Sequence, residues 1–230
     1  MLRMPKTNNS TATLLETGGR VRRLCDQAGA IGTKYAESIT GAQEELKSSA
    51  EQVELKTSER IGNYDAMVLA EDELDEKVRS LFYTCRKYDL HSETDTVTDK
   101  VFPESILSPV LYTSRTDKLE QVARVLARLS TVTSKGSPLT AGKKELETAL
   151  QRSREAQQRY DASVLEENNC KALELLVKEA FVERYRAVYF TACGELGRKR
   201  AYKLFPHTRK NHKDSDTPEA APQDSVSAAA

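Results

Sequence analysis

From Tyr35 to Tyr88, apolar or small residues recur at 35, 39, 42 and 46, then at 50 and 53, and after a polar middle at 61, 64, 67, 68, 74, 78, 81, 82, 85 and 88. Steps of three and four keep such residues on one face of a helix, so the stretch predicts one long amphipathic helix. No proline interrupts it. Gly62 is its weak point, costing about 1 kcal/mol relative to alanine, and is the natural place for a bend. A second long pattern runs from about Ala141 to Leu196, with its stripe on Leu146, Ala149, Leu150, Tyr160, Val164, Leu173, Leu176, Val177, Phe181, Tyr185, Val188, Ala192 and Leu196. It too has a polar middle, around Ser153, Gln157, Glu167, Asn168 and Asn169. Gly194 and Gly197 loosen its end, and Pro206 is a stop signal.

Shorter elements lie between. A helix is expected over 14–28, weakened by Gly18 and Gly19, behind a frayed polar start at 1–12. Residues 89–115 hold two prolines and many Ser, Thr and Asp without a helical period, and read as a long ordered loop. "TDKLEQVARVLARLS" predicts a short helix with Thr116 or Asp117 as N-cap and Leu119, Val122, Val125, Leu126 and Leu129 as its stripe. The tail from 209 to 230 is poor in large apolar residues and is expected to be disordered.

Two stretches echo each other. "YDAMVLAE" (Tyr64 to Glu71) matches "YDASVLEE" (Tyr160 to Glu167) at six of eight positions, 96 residues apart. The pairs Phe102–Pro103 and Phe205–Pro206 are 103 apart. The difference is seven residues, an indel that leaves a helical stripe nearly in phase, with a drift of only ~20°. Tyr64, Phe102, Pro103, Tyr160, Phe205 and Pro206 therefore mark a plan of short helix, long helix and FP element, used twice, over 13–105 and 106–208. Chance matching between helix-rich segments is the bland alternative. A 54-residue helix, about 80 Å long, cannot bury its stripe alone. The expectation is an all-α fold: an elongated antiparallel bundle or coiled coil of two pseudo-repeats. A conventional four- to six-helix bundle, with each long pattern broken into a hairpin, is the alternative.

Composition agrees. Of 230 residues, 30% are charged, 38% are hydrophobic and none is Trp, which suits a slender bundle better than a thick core. Net charge is zero, so no bulk attraction to nucleic acid or anionic lipid is implied. The charge is uneven, however: 51–99 carry 13 acids against 6 Lys/Arg, and 197–213 carry 7 Lys/Arg and no acid. The four cysteines are far apart in sequence and form no CxxC pair. With no apolar leader and no run of the ~20 residues needed to span a bilayer, the expectation is a cytoplasmic protein with free, packing thiols.

"GSPLTAGKK" (Gly136 to Lys144) fails as a phosphate loop, because its glycine spacing is one residue too long and Lys144 stands where Ser or Thr would hold magnesium. It reads as a helix start capped by Ser137 or Thr140. No ExxH, HExxH, GxSxG or GxGxxG occurs. Glu71–Asp72–Glu73 and Glu166–Glu167 occupy comparable points of the repeat, but adjacent helical positions diverge by about 100°, so they read as a solvated face. His91, His207 and His212 offer no metal-ligand spacing. No catalytic residue, metal or cofactor is implied.

One segment, "GRKRAYKLFPHTRKNHK" (Gly197 to Lys213), could contact anions. Arg198, Lys199, Arg200, Lys203, Arg209, Lys210 and Lys213 surround Tyr202 and Phe205, a composition that neutralises phosphates and stacks on bases. The competing readings place the cations at a helix C-terminus, where they complement its dipole by ~0.3–1 kcal/mol, or pair them with the acidic 51–99 region of the same or another chain.

"VERYRAVYFTACGELGRKRAYKLFP" (Val182 to Pro206) resembles the ending of uncharacterised bacterial helical proteins, in which a long Ala/Arg/Glu-rich helix finishes in an aromatic turn and an FP element. The resemblance implies an all-helical two-repeat protein and no known chemistry. The functional expectation is a non-enzymatic interaction or scaffolding protein that binds a protein partner or itself, with nucleic-acid or anionic-surface binding through 197–213 as the alternative.

Overall fold

The computed structural model describes residues 4–90, 96–102, 106–133 and 139–205. Every regular element among them is helical: α1 (Thr11–Gln27), α2 (Ala30–Asp89), α3 (Val97–Val101), α4 (Ser108–Leu111), α5 (Arg115–Val132), α6 (Leu139–Leu196) and α7 (Arg198–Leu204). Both long patterns are single helices, of 60 and 58 residues, so neither breaks into a hairpin. Gly62 lies within α2 and does not interrupt it.

The helices gather into two compact units. Of the described residues, one unit comprises those up to Ser48 and from Leu175 to Phe205, and the other comprises those within Ser49–Glu174. Each compact unit takes a part of both 13–105 and 106–208. Within each, α2 and α6 run antiparallel. In the first, Lys34 and Tyr35 meet Glu195, and the Ser38 carbonyl accepts from Arg184. In the second, Lys56 meets Glu166, whereas Glu73 and Lys77, further along α2, meet Arg152 and Glu145, further back along α6.

In the first unit, α1 starts at Thr11 rather than near 14, because the Ser10 hydroxyl accepts from the Thr13 amide and supplies the N-cap. The chain turns from α1 into α2 through Gly29, at φ +66°; a Cβ on Gly32 would fall 1.9 Å from the Cys25 carbonyl oxygen, so only glycine fits there. Leu14, Val21 and Cys25 of α1 pack with Tyr35, Ile39 and Leu46 of α2, Phe181, Tyr185 and Ala192 of α6, and Ala201 of α7. Phe205, fully buried, closes this core. Its ring makes edge contacts with Tyr35, Tyr185 and Tyr189 at centroid distances of 6.2, 5.6 and 5.8 Å.

In the second unit, the Ser114 hydroxyl caps α5 by accepting from the Asp117 amide. The cap is thus two or three residues earlier than Thr116 or Asp117; Asp117 instead accepts from the Ser114 hydroxyl. Residues 89–115 are not all loop, since α3 and α4 lie within them and rest on α5. Asp89 makes α3 possible. Thr96 makes no side-chain cap bond, and the Asp89 carboxylate accepts the Val97 and Thr98 amides in its place, at 2.6 and 3.0 Å. Phe102, fully buried, ends α3 and meets Phe82 edge-on at 5.2 Å.

Five expected stripe positions are exposed instead: Ile61, Tyr64, Tyr88, Leu173 and Leu176, at 49%, 42%, 39%, 60% and 60%. Thr140 lies inside α6 rather than capping it; Ser137, Pro103 and Pro206 lie outside the described residues.

Replacing Phe102 or Phe205 by alanine is expected to cost about 3–5 kcal/mol, read from urea denaturation midpoints. Gly62→Ala is expected to stabilise by up to about 1 kcal/mol in the same assay, because nothing lies within 4 Å of the added Cβ.

Candidate functional site

Two places merit attention, each within one compact unit. The first is the stretch of the α2–α6 seam inside Ser49–Glu174. A seam between two helices ordinarily holds apolar side chains, but here polar residues lie on it: Ser153, Ser163 and Glu167 of α6 are buried. The Glu167 carboxylate is held by Arg60 and Thr57 from α2 and by Lys171 one turn along α6, at 2.7 Å for Lys171 and 3.0 Å for Thr57. Beside it, Lys56 bridges Glu59 and Glu166 at 2.7 and 2.8 Å. Lys171, then Thr57 and Arg60, hold the Glu167 carboxyl below the usual range against the opposing push of burial.

Further along α2 a second carboxylate is caged. Glu71 receives Lys118 at 2.8 Å and Arg115 at 2.7 Å, both from α5, and Lys118 also lies 3.1 Å from Asp75. Lys118 is a buried lysine, permitted because two carboxylates compensate it. Burial pushes the Glu71 carboxyl up, and Lys118 and Arg115 more than reverse that, leaving it lowered. The expectation of a solvated acidic face is therefore corrected. Glu71 and Glu167 do not converge on one proton, but each turns towards cations on a neighbouring helix. Sequence could have shown this only through Lys118, a charged residue on the apolar face of α5.

Between the cages, Tyr64 and Tyr160 touch edge-on at 5.6 Å, with the Arg115 guanidinium 6.0 Å from the Tyr64 ring centre. Around Glu167 the outward faces carry leucines instead: Leu55, Leu69, Leu165 and Leu173 are 51–68% exposed. Such inversion, polar within and leucine without, is the informative departure from ordinary packing.

The second place is α7. Arg198, Lys199, Arg200 and Lys203 are exposed, and Tyr202 is 45% exposed, while Ala201 and Leu204 are buried. Arg209, Lys210 and Lys213 lie outside the described residues. The long helix ends at Leu196, and Gly197, at φ +78°, starts a separate helix. Three of the four described cations therefore occupy the first turn of α7, where its dipole disfavours them; only Lys203 lies in the last turn. Dipole complementation at the end of the long helix does not account for the cluster.

Among the described residues no group of three or more His, Cys, Asp or Glu could hold a metal, and no helix is long and apolar enough to cross a membrane. All four cysteines are free; burial raises Cys25 to about 11 and Cys85 to about 12. An open hollow of about 470 Å³ lined by Arg86, Asp89, Leu90, Thr96, Thr98 and Asp99 holds carboxylates already engaged by α3 or otherwise partnered. No protein-family model, curated protein or solved structure matches this chain.

Because Glu71 and Glu167 have lowered pKa values, they stabilise the fold above the ordinary carboxylate range and lose that contribution as pH falls through the folded values. Urea midpoints are expected to drop between pH 5 and pH 3, and by less in Glu71→Gln. Lys118→Met leaves Glu71 and Asp75 with one cation fewer and is expected to cost about 2 kcal/mol at pH 7, below the figure for a fully buried pair because both acids retain some exposure.

Proposed function

We propose that this chain is a non-enzymatic helical interaction protein that associates with itself through the outward faces of its long helices. The observation carrying this reading is the local inversion of polarity around Glu167: Ser163 and Glu167 are buried, while Leu55, Leu69, Leu165 and Leu173 are exposed. Exposed apolar surface at helical spacing is what a partner helix covers. We read the architecture as a two-repeat bundle. In its support, the Ser10 and Ser114 caps are 104 residues apart, and so are the buried stripes Leu14, Gly18, Val21, Cys25 and Lys118, Val122, Val125, Leu129. Phe82 against Phe102 and Tyr185 against Phe205 are edge contacts 103 apart. Glu71 and Glu167, the last residues of the matched octapeptides, both sit in cation cages.

Sedimentation equilibrium from 1 to 200 μM is expected to show a weight-average mass rising above the 25.7 kDa of one chain. A constant 25.7 kDa at every concentration would overturn the reading.

A second reading is single-stranded nucleic-acid binding at α7, favoured by the exposed cations that serve no dipole and by the exposed Tyr202 ring beside them. It predicts that a fluorescent oligonucleotide binds with affinity falling steeply with salt, and that reversing Arg198, Lys199, Arg200 and Lys203 to Glu weakens binding at least tenfold. Absence of binding at 50 mM salt would refute it.

A further inference from the structure

Resting on the nucleic-acid reading of α7, we infer that the binding face extends beyond α7 over α1 and the end of α6, with Arg20, Arg186 and Arg198 taking phosphates of a single strand and Phe190 stacking on one of its bases. Two tyrosines hold this face together. Tyr185 and Tyr189 lie one turn apart on α6, and both are buried. The Arg198 guanidinium of α7 donates to the Tyr189 hydroxyl. Burial and Tyr189 push the Tyr185 hydroxyl up, and Arg20 of α1 opposes them, so its guanidinium lies near that hydroxyl. Arg186 and Phe190 each follow one of these tyrosines in the chain, and are themselves one turn apart. The Phe190 ring meets the Tyr189 ring at 5.6 Å yet is 65% exposed. Thus α1, α6 and α7 bring three exposed cations and an exposed ring around one pair of side chains.

Charge identifies the occupant. The described residues of the first unit include 13 Lys/Arg against 8 acids, whereas those within Ser49–Glu174 include 17 against 20. Many cations of the second unit are engaged by the chain itself: Lys56, Arg60, Lys77, Arg115, Lys118 and Arg152 each reach a carboxylate on another helix. Among the described residues, Arg20, Arg186 and Arg198 reach none. Glu195, the acid at the end of α6, is turned to Lys34 and Tyr35 of α2. Cations left without carboxylates in a chain that is neutral overall are open to an external anion. Phe190 selects the kind of anion. A single strand presents the flat face of a base to such a ring, whereas a duplex keeps its bases within the stack. The cations also come from three helices rather than from one helix with a broad apolar face, which does not suit a lipid surface.

The test is fluorescence anisotropy of the full chain with a labelled twelve-nucleotide oligothymidylate, from 50 to 300 mM NaCl. Arg20→Gln/Arg186→Gln is expected to weaken binding at least fivefold at 100 mM and to flatten the slope of log Kd against log salt by about 1.4, two phosphates at ~0.7 each. Phe190→Ala is expected to weaken binding at least fivefold with the slope unchanged, and Phe190→Trp to restore it. If either Arg20→Gln/Arg186→Gln or Phe190→Ala binds within twofold of the unaltered chain, while reversing the α7 cations abolishes binding, the extended face is overturned and the α7 reading stands. Equal affinity for a duplex of the same length, or for phosphatidylserine vesicles, would overturn the single-strand assignment. No binding at 50 mM would remove this inference and the α7 reading together.

Discussion

The pairing of Glu167 with Arg60 and Thr57 constrains the seam on which much of Ser49–Glu174 depends. A carboxylate withdrawn from water must be met by donors at fixed positions, because a buried, uncompensated charge costs several kcal/mol. Here the donors come from both helices, Arg60 and Thr57 from α2 and Lys171 from α6. A slip of one turn along the seam would carry Arg60 and Thr57 about 5.4 Å from the carboxylate while leaving Lys171 in place. Apolar contacts tolerate such a slip far better, because they are not directional. The middle of this helix pair is thus aligned by charge, and alignment by charge removes apolar surface from the seam.

That trade explains why aromatic and aliphatic mass collects elsewhere. In the first unit Tyr35, Phe181, Tyr185, Tyr189 and Phe205 share one core, and in the second Phe82 and Phe102 lie among Leu74, Val78, Leu81 and Leu129. Rings meeting edge to face fill the space at the ends of α3 and α7, where Phe102 and Phe205 are buried. Burial also sets the acid–base character of these rings. Tyr35 is pushed up to about 12, first by burial and then by its bond to Glu195. It remains a neutral donor to that carboxylate over the whole physiological range.

The legible parts of the fold were those governed by period. The two long helices, the apolar face of α5 and the Phe-terminated elements could be read because apolar residues recur at a fixed step, and the structure places long helices against each other as that step requires. Caps and connections were harder. Ser10 and Ser114 cap helices through hydroxyls that sequence alone does not distinguish from neighbouring Thr and Asp. Asp89 initiates α3 from eight residues upstream, a relation no local pattern contains. The candidate sites divide in the same way. The basic residues of α7 were visible as a run, but their place on a separate helix depends on Gly197 adopting a positive φ. The charged cages were misread because each depends on pairs distant in sequence, Glu71 with Arg115, 44 positions apart, and Glu167 with Thr57, 110 apart.

The inverted seam connects these observations to function. A helix that carries one apolar stripe has a single partner, whereas α6 carries two. Phe181, Tyr185 and Val188 face the core of the first unit, and Leu165 and Leu173 face outward within the second. Exposed leucines near 60% on a stretch whose seam is held by ion pairs are costly in water, because they offer ~25 cal/mol for each Å² that a partner could cover. Ion pairs across the seam keep that stretch helical and aligned without consuming its leucines. On the self-association proposed above, a partner would cover this outer face without any rearrangement of the chain's own packing.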